Sequence, residues 1–378
     1  GNKKAFQPKH VHVIGAGIMG GDIAAWCALK GFTVTLQERE PKFLSNAFNR
    51  ANRLFARKLK AKHERNKVID RLIPDCDGHG VERADVIIEA IFENIEAKHA
   101  IYKDLEPRMK ADAILATNTS SIPLETLSEV LTNPDRLIGL HFFNPVPMMP
   151  LVEIVKTKQT SVEIISKAAA FCLHIGKLPL PVISSPGFLV NRILVPYLIE
   201  AVTLYDEGCS AEAIDRAAAS FGMPMGPVEL ADTVGLDICQ SVAKNLSDAY
   251  GFKVPAVLDQ KVSAGNLGKK SGSGFYQYKK GKPVHDSDTD LGNQSEIQNR
   301  LIYRLLNEAT ACLREGIVDD IDLLDAGVIF GTGFAPFRGG PLTYAEKMNV
   351  KTIHQNMKIY QQRFGDRFQP DEGWMANL

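Results

Sequence analysis

The 378-residue chain has no surplus of charge of either sign: 44 Lys+Arg are balanced by 44 Asp+Glu. No global field therefore favours nucleic acid or an anionic membrane as a partner. It lacks paired cysteines. Cys27, Cys76, Cys172, Cys209, Cys239 and Cys312 are scattered with no CxxC spacing, which excludes a disulfide framework or zinc ribbon and fits a reducing compartment. No apolar run approaches the ~20 residues that span a bilayer. "GNKKAFQPKH" has no apolar core of a secretory leader, and "ANL" is not the Ser-Lys-Leu peroxisomal address. The expectation is a cytoplasmic protein, with the peroxisome as the alternative. HExxH and GxSxG are also missing, and His63, His79, His99, His174, His285 and His354 are dispersed. Neither a metal site nor covalent catalysis is expected.

What the sequence does have is alternation. The short apolar runs "VHVI", "TVTLQ", "DVIIE", "AILAT", "LIGLHFF", "LVEIV" and "LPLPVI" are interleaved with helical patterns near 18–30, 41–64, 95–109 and 161–174. Such βα units predict a largely parallel sheet covered by helices over residues 1–184. Strand signals then vanish. A long apolar-periodic helix follows Pro186-Gly187, and the polar stretch 279–294 reads as a linker. Beyond it the chain repeats itself. "NRILVPYLIEAVTLYDEG" resembles "NRLIYRLLNEATACLREG", and Asn191/Asn299, Glu207/Glu315 and Gly208/Gly316 share one offset of 108. Two related helical domains are expected, 185–290 and 291–378.

"VIGAGIMGGDIAAW" carries the first functional signal. Gly15 would make the tight turn after a strand, Gly17 would let the backbone approach a pyrophosphate, and Gly20 would let helix and strand pack closely. The N–H groups at the helix start would face the phosphates. Glu38 ends the next strand, 18 residues past Gly20. A carboxylate there binds ribose hydroxyls and repels a 2′-phosphate, so NAD is expected rather than NADP.

Five segments, "GAGIMGG", "NTSSIP", "GLHFFNPVPMMPLVEIV", "SPGFLVNRILVPYLIEA" and "GMPMGPVEL", together resemble the L-3-hydroxyacyl-CoA dehydrogenases over nearly the whole chain. The duplicated helical region is most like the dehydrogenase part of a multifunctional fatty-acid β-oxidation protein. The resemblance implies a Rossmann-type NAD-binding α/β domain followed by two all-α domains of the 6-phosphogluconate dehydrogenase C-terminal type. It implies NAD-dependent oxidation of (S)-3-hydroxyacyl-CoA to 3-oxoacyl-CoA. His141 matches the family's base, and Glu153 the acid that orients and stabilises it. Ser120 and Asn191 match the contacts to the substrate oxygen. Glu93, Lys98, Asn144 and Lys270 match cofactor contacts, with a helix cap the alternative for Glu93 and a solvated helix face for Lys98. The implied partners are an acyl-CoA substrate, an enoyl-CoA hydratase domain and a thiolase subunit. The basic stretch "RKLKAKHERNK" (57–67) is the candidate for coenzyme A phosphates.

Two rivals stay open on the sequence: a non-catalytic, crystallin-like NAD-binding protein, and a dehydrogenase of a hydroxy acid without coenzyme A. No second His/Glu/Ser set accompanies Asn299, so the second helical copy reads as structural. It would stand where relatives with a single helical domain place a second subunit, and the chain is expected to be monomeric.

Overall fold

A computed structural model describes residues 6–376. It clusters into two compact units that meet at Ser184/Ser185. The first is built on an eight-stranded sheet of order β3-β2-β1-β4-β5-β6-β7-β8. The strands are β1 (His10–Ile14), β2 (Thr33–Gln37), β3 (Leu72–Asp75), β4 (Val86–Glu89), β5 (Ile114–Thr117), β6 (Leu137–Phe142), β7 (Leu151–Lys156) and β8 (Leu178–Ile183). β1 to β6 are parallel, β7 runs antiparallel to β6, and β8 is parallel to β7. Sequential order reverses beside β1, between β2 and β4, which is where an open α/β sheet leaves a crevice at its carboxyl edge.

The helices of this unit are α1 (Ile18–Leu29), α2 (Pro41–Lys58), α3 (Lys62–Arg71), α4 (Ile95–Leu105), α5 (Leu124–Ser128) and α6 (Val162–His174). The core lies between sheet and helices: Val11, Val13, Ile23, Val34, Ile88 and Phe171 are all fully buried. Central strands buried on both faces read as continuous apolar runs, which is why seven of the eight were expected.

Two expectations need correction. The single helix expected over 41–64 is two, because Leu59 turns extended (φ −123°, ψ 116°) and α3 restarts at Lys62. β3 was not expected. It is four residues, "LIPD", entered directly from α3 at the sheet edge with its middle two residues exposed. Neither an apolar run nor a turn signal announces it.

The second unit is helical: α7 (Val190–Asp206), α8 (Ala211–Phe221), α9 (Pro227–Val234), α10 (Leu236–Tyr250), α11 (Ala256–Ser263), α12 (Gln294–Arg314), α13 (Ile321–Thr332), α14 (Pro341–Lys347), α15 (Val350–Phe364) and α16 (Gly373–Ala376). The helices recur in order. α7 and α12 pack on each other, α8 also packs on α12, and α13 on α7. Each half thus rests its second helix on the other half's first. The boundary expected at 290/291 falls in the loop before α12, and the residues on its two sides form one compact unit.

Side chains repeat as well. Asp215 on α8 accepts from the backbone N–H groups of Val228 and Glu229 at the start of α9. Asp325 on α13 does the same for Leu342 and Thr343 at the start of α14. A Cβ on Gly226 or Gly340, each just before the capped helix, would lie 2.3 Å from the Asp215 or Asp325 side chain. Arg192 pairs with Glu308 and Glu315, while Arg300 pairs with Glu200 and Glu207. These six residues obey the offset of 108 read from the sequence, so the ion pairs cross between halves with two-fold symmetry.

Candidate active site

The glycine turn joins β1 to α1. Gly15 has φ +101°, and a Cβ there would sit 2.6 Å from the Ala90 carbonyl oxygen. A Cβ on Gly20 would sit 1.8 Å from the Gly15 carbonyl oxygen, so helix and turn touch only because residue 20 is glycine. Gly17 differs: nothing lies within 4 Å of its ideal Cβ. It is also the N-cap of α1 and carries no side-chain cap. Glu38, at the end of β2, reaches across and accepts from Ala16 N–H (3.1 Å) and Glu40 N–H (3.2 Å). A cavity of about 760 Å³ opens over this turn, lined among others by Gly17, Glu38, Phe43, Ile91 and Phe92. Open space at Gly17, a helix N-terminus, a carboxylate at the second strand and two half-open aromatic rings suit the adenosine and pyrophosphate of a dinucleotide.

Further along the same carboxyl edge, β4 ends in Glu89, which is fully buried. One carboxylate oxygen accepts from Tyr102 Oη (2.6 Å) and Thr117 Oγ1 (2.8 Å). The other accepts from Lys98 Nζ (2.5 Å). Lys98 is thus fully buried rather than solvated, and its Nζ also lies 3.4 Å from Glu93 Oε1. Burial and the adjacent Glu89 charge hold the Tyr102 phenol well above its ordinary pKa. Glu93 is half exposed and receives Thr119 Oγ1 (2.6 Å) and Ser121 Oγ (2.9 Å). It does not cap α4. Asn94 does, accepting from Ala97 N–H. Glu89, Thr117, Thr119, Ser121 and Tyr102 were not singled out from the sequence. Of these, Thr119 and Ser121 lie within "NTSSIP", whereas Glu89 ends an apolar run as many surface acids do.

The antiparallel pairing of β6 and β7 places His141 directly opposite Glu153. Side chains directly opposite share one face of a sheet. Nδ1 of His141 lies 2.8 Å from Glu153 Oε1. The glutamate is fully buried and the histidine 7% exposed. A carboxylate is buried this deeply only with a partner that answers its charge. Phe143 sits edge-on to the imidazole, with centroids 4.7 Å apart. Ser120 follows β5, the parallel neighbour of β6, and Asn118 Oδ1 ties the two strand ends together by accepting from Phe142 N–H (2.9 Å). Asn144, exposed, comes directly after this strand end.

Asn191 and Lys270 belong to the second unit. Asn191 is half-buried in the first turn of α7. The next residue, Arg192, is stacked 3.8 Å over the Tyr250 ring, and Tyr250 Oη donates to the Pro186 carbonyl. Lys270 is bonded at 2.6 Å to Asp237 in the first turn of α10. The first unit therefore gathers His141, Glu153 and Ser120 with Gly15, Gly17, Gly20, Glu38, Glu93, Lys98 and Asn144 along one sheet edge. Among the described residues no group of His, Cys, Asp or Glu could hold a metal ion, and no helix is long and apolar enough to cross a membrane.

The family model described as "3-hydroxyacyl-CoA dehydrogenase, NAD binding domain" matches residues 10–185. That described as "3-hydroxyacyl-CoA dehydrogenase, C-terminal domain" matches residues 187–278 and 297–378. A curated relative, the fatty acid oxidation complex subunit alpha of Shewanella amazonensis, is 37% identical over 98% of this chain and 55% of its own length. The chain thus spans about half the length of the curated relatives it matches. Among solved structures, 3-hydroxybutyryl-CoA dehydrogenase from Escherichia coli K12 superposes with a TM-score of 0.87 at 26% identity, covering 98% of each chain. The dehydrogenase part of multifunctional enzyme 1 from Caenorhabditis elegans gives 0.74 at 26% identity, covering all of this chain and 91% of its own.

Proposed function

The chain belongs to the 3-hydroxyacyl-CoA dehydrogenase family, and from that premise we propose that it oxidises (S)-3-hydroxyacyl-CoA to 3-oxoacyl-CoA with NAD in fatty-acid β-oxidation. The observation that carries this reading is the buried His141–Glu153 pair at the sheet edge that also holds the dinucleotide turn. Oxidising a secondary alcohol removes a proton from oxygen and a hydride from carbon. NAD, when bound, supplies the hydride acceptor. The imidazole receives the proton. With Nδ1–H directed at Glu153, the lone pair that takes it is on Nε2, and the glutamate charge stabilises the imidazolium that forms. Ser120 and Asn191 are assigned to the substrate oxygen, as hydrogen-bonding groups that hold the alcohol and polarise the ketone on the way back.

The Gly15–Gly20 turn and Glu38 would hold the adenosine and pyrophosphate end of NAD. Glu93 and Asn144 would reach its nicotinamide ribose. Lys98 acts there largely by fixing Glu93, because most of its hydrogen bonding is spent on Glu89. Lys270 is kept as a further cofactor contact by resemblance. The basic stretch 57–67, whose Arg57, Lys58, Lys60 and Lys62 are exposed around the bend between α2 and α3, is the proposed region for coenzyme A phosphates, with no single residue assigned. The curated relative's name makes it one subunit of a complex. For this chain we extend that to an enoyl-CoA hydratase domain and a thiolase subunit as partners, and to a cytoplasmic location.

The test is NADH absorbance after adding acetoacetyl-CoA, with free acetoacetate and His141→Ala as controls. The expected result is rapid NADH loss with the thioester, little with the free acid, and none in the variant. Binding of NADH without turnover of short or long 3-oxoacyl-CoA would instead favour the non-catalytic rival. Equal turnover of the free acid would favour a hydroxy-acid dehydrogenase.

A further inference from the structure

A second cavity, of about 960 Å³, lies wholly within the helical unit, and nothing in the reaction above uses it. Its lining includes Arg192 and Arg304, Tyr250 and Phe364, and exposed acids such as Asp366 and Glu372. The two-fold relation between the halves sorts these charges. Arg192 and Arg300 are equivalent, and each is satisfied by two glutamates from the opposite half. They account for the architecture. Arg304 has no counterpart: the offset of 108 puts Pro196, inside α7, in its place. A guanidinium therefore stands on one side only.

Arg304 is 4% exposed, yet it is the least satisfied arginine of the unit's interior. Its Nη1 donates to the Arg367 carbonyl (3.0 Å) and only grazes Glu308 (3.5 Å), whose other oxygen is taken by Arg192. Its Nε and Nη2 donate to no group among the described residues. Burial pulls its pKa below the ordinary value, whereas the glutamates hold Arg192 and Arg300 above theirs although burial opposes it. These two donors are not among the enclosed unpartnered side-chain atoms of the described residues; on a side chain that lines the cavity, they are open to water or to an anion there. The Nε/Nη2 edge is the side of a guanidinium that takes a carboxylate through two parallel bonds.

We propose that this cavity binds a small carboxylate ligand, with Arg304 at its floor gripping the carboxylate. The mouth defines the rest of the ligand. Asp206, Asp366 and Glu372 are exposed there against Lys253 and Arg314, and Arg314 is already answered by Asp371 through two hydrogen bonds, which leaves an excess of acid. A second negative charge on the ligand would be repelled, and a neutral or cationic tail would be accepted. The site is thus shaped for a monocarboxylate or an amino-acid-like zwitterion. It is not shaped for a polyanion such as a nucleotide or coenzyme A.

The experiment is calorimetric titration of the full chain with 4-aminobutyrate, succinate and inorganic phosphate at equal ionic strength. Saturable millimolar binding of 4-aminobutyrate, at least about tenfold tighter than either dianion, is expected. Arg304→Met should weaken it about tenfold or more, and Arg304→Lys, which keeps the charge but loses the fork, should also weaken it. Thermal melts report whether those variants fold. Glu372→Lys lies at the exposed mouth and should narrow the gap between succinate and 4-aminobutyrate. The proposal is overturned by no saturable binding of 4-aminobutyrate, by undiminished binding in folded Arg304→Met, or by phosphate binding as well as the carboxylates do.

Discussion

Replacing Glu153 by Gln keeps the volume of a side chain that is fully buried and removes only its charge. In the wild-type chain the carboxylate accepts from His141 Nδ1 at 2.8 Å, which fixes both the ring and the tautomer. The amide offers one oxygen and one NH2 to the same nitrogen. If the NH2 faces Nδ1, the proton moves to Nε2 and the base atom is lost. If the oxygen faces it, the tautomer survives but the imidazolium loses its counter-charge. A charge-assisted hydrogen bond to a buried partner is worth roughly 1.5–3 kcal/mol, or about 10- to 100-fold in rate. Loss of the tautomer brings the effect toward the ~10⁴-fold seen for the equivalent change in a catalytic triad. We therefore expect kcat for acetoacetyl-CoA reduction to fall by about 10²- to 10⁴-fold. KM for NADH should change little, because the dinucleotide turn is on other strands. Stopped-flow NADH absorbance measures the first, and fluorescence titration the second. Circular dichroism establishes that the variant is folded. A kcat within about threefold of wild type in a folded variant would refute the argument that the pair carries the proton.

Three further outcomes follow from neighbouring geometry. Gly20→Ala drives a methyl to 1.8 Å from a backbone oxygen and should unfold or severely destabilise the first unit, whereas Gly17→Ala meets nothing in the protein and should keep the melting temperature while weakening NADH binding; thermal melts with and without NADH read both. Lys98→Met leaves Glu89 as a buried carboxylate without its cation, so urea denaturation should show a loss of about 3–5 kcal/mol, together with weaker NADH binding. Lys177, buried against Trp26 and donating to the Val146 and Met149 carbonyls, is brought down to about 8 by burial. A lysine with a lowered folded-state pKa loses its proton more readily folded than unfolded, so stability contributed by this group rises as pH increases from about 8 toward the unfolded value. Denaturation midpoints between pH 8 and 10 should rise relative to those of Lys177→Met, and an identical pH profile in the two proteins would contradict it.

How much of this was legible in the sequence depends on the distance over which each feature is set. Buried parallel strands are local apolar runs, and the glycine turn is a local spacing, so both could be read directly. β3 could not, because its four residues follow a helix without punctuation and half of them face solvent. The His141–Glu153 contact rests on an antiparallel register between two strands. Residue spacing alone does not encode that register, and the family resemblance supplied it. Glu89 was invisible for a related reason. Its partners lie 9, 13 and 28 residues away and converge only when α4 and β5 pack beside β4. Arg304 was not singled out from the sequence, and only the two-fold relation shows that its counterpart is a proline.

That two-fold relation bears on the assembly of the chain. The offset of 108 was read from an asparagine, a glutamate and a glycine. The structure places on it a reciprocal set of ion pairs, Arg192 with Glu308 and Glu315, and Arg300 with Glu200 and Glu207. Interactions that cross between equivalent surfaces in both directions are the mark of an isologous interface, the kind that closes a symmetric dimer. Here both surfaces are within one chain, so the interface that would recruit a second subunit is already filled. We therefore expect the isolated chain to run as a monomer of about its 41.5 kDa mass in light scattering. Because Arg300 is buried between two acids, Arg300→Met leaves Glu200 with Arg367 but strips Glu207, and Arg192→Met leaves Glu315 with Arg314 at 3.7 Å and removes part of the pairing of Glu308. Each change should cost about 1–2 kcal/mol rather than the full penalty of a broken buried pair, because the carboxylates that lose a partner are 46% and 33% exposed. The double variant should cost less than the sum if the halves separate as one event, since the second break then finds the interface already open. A stable dimer of the wild-type chain, or strict additivity in the double variant, would show that the two halves do not form one interlocked body.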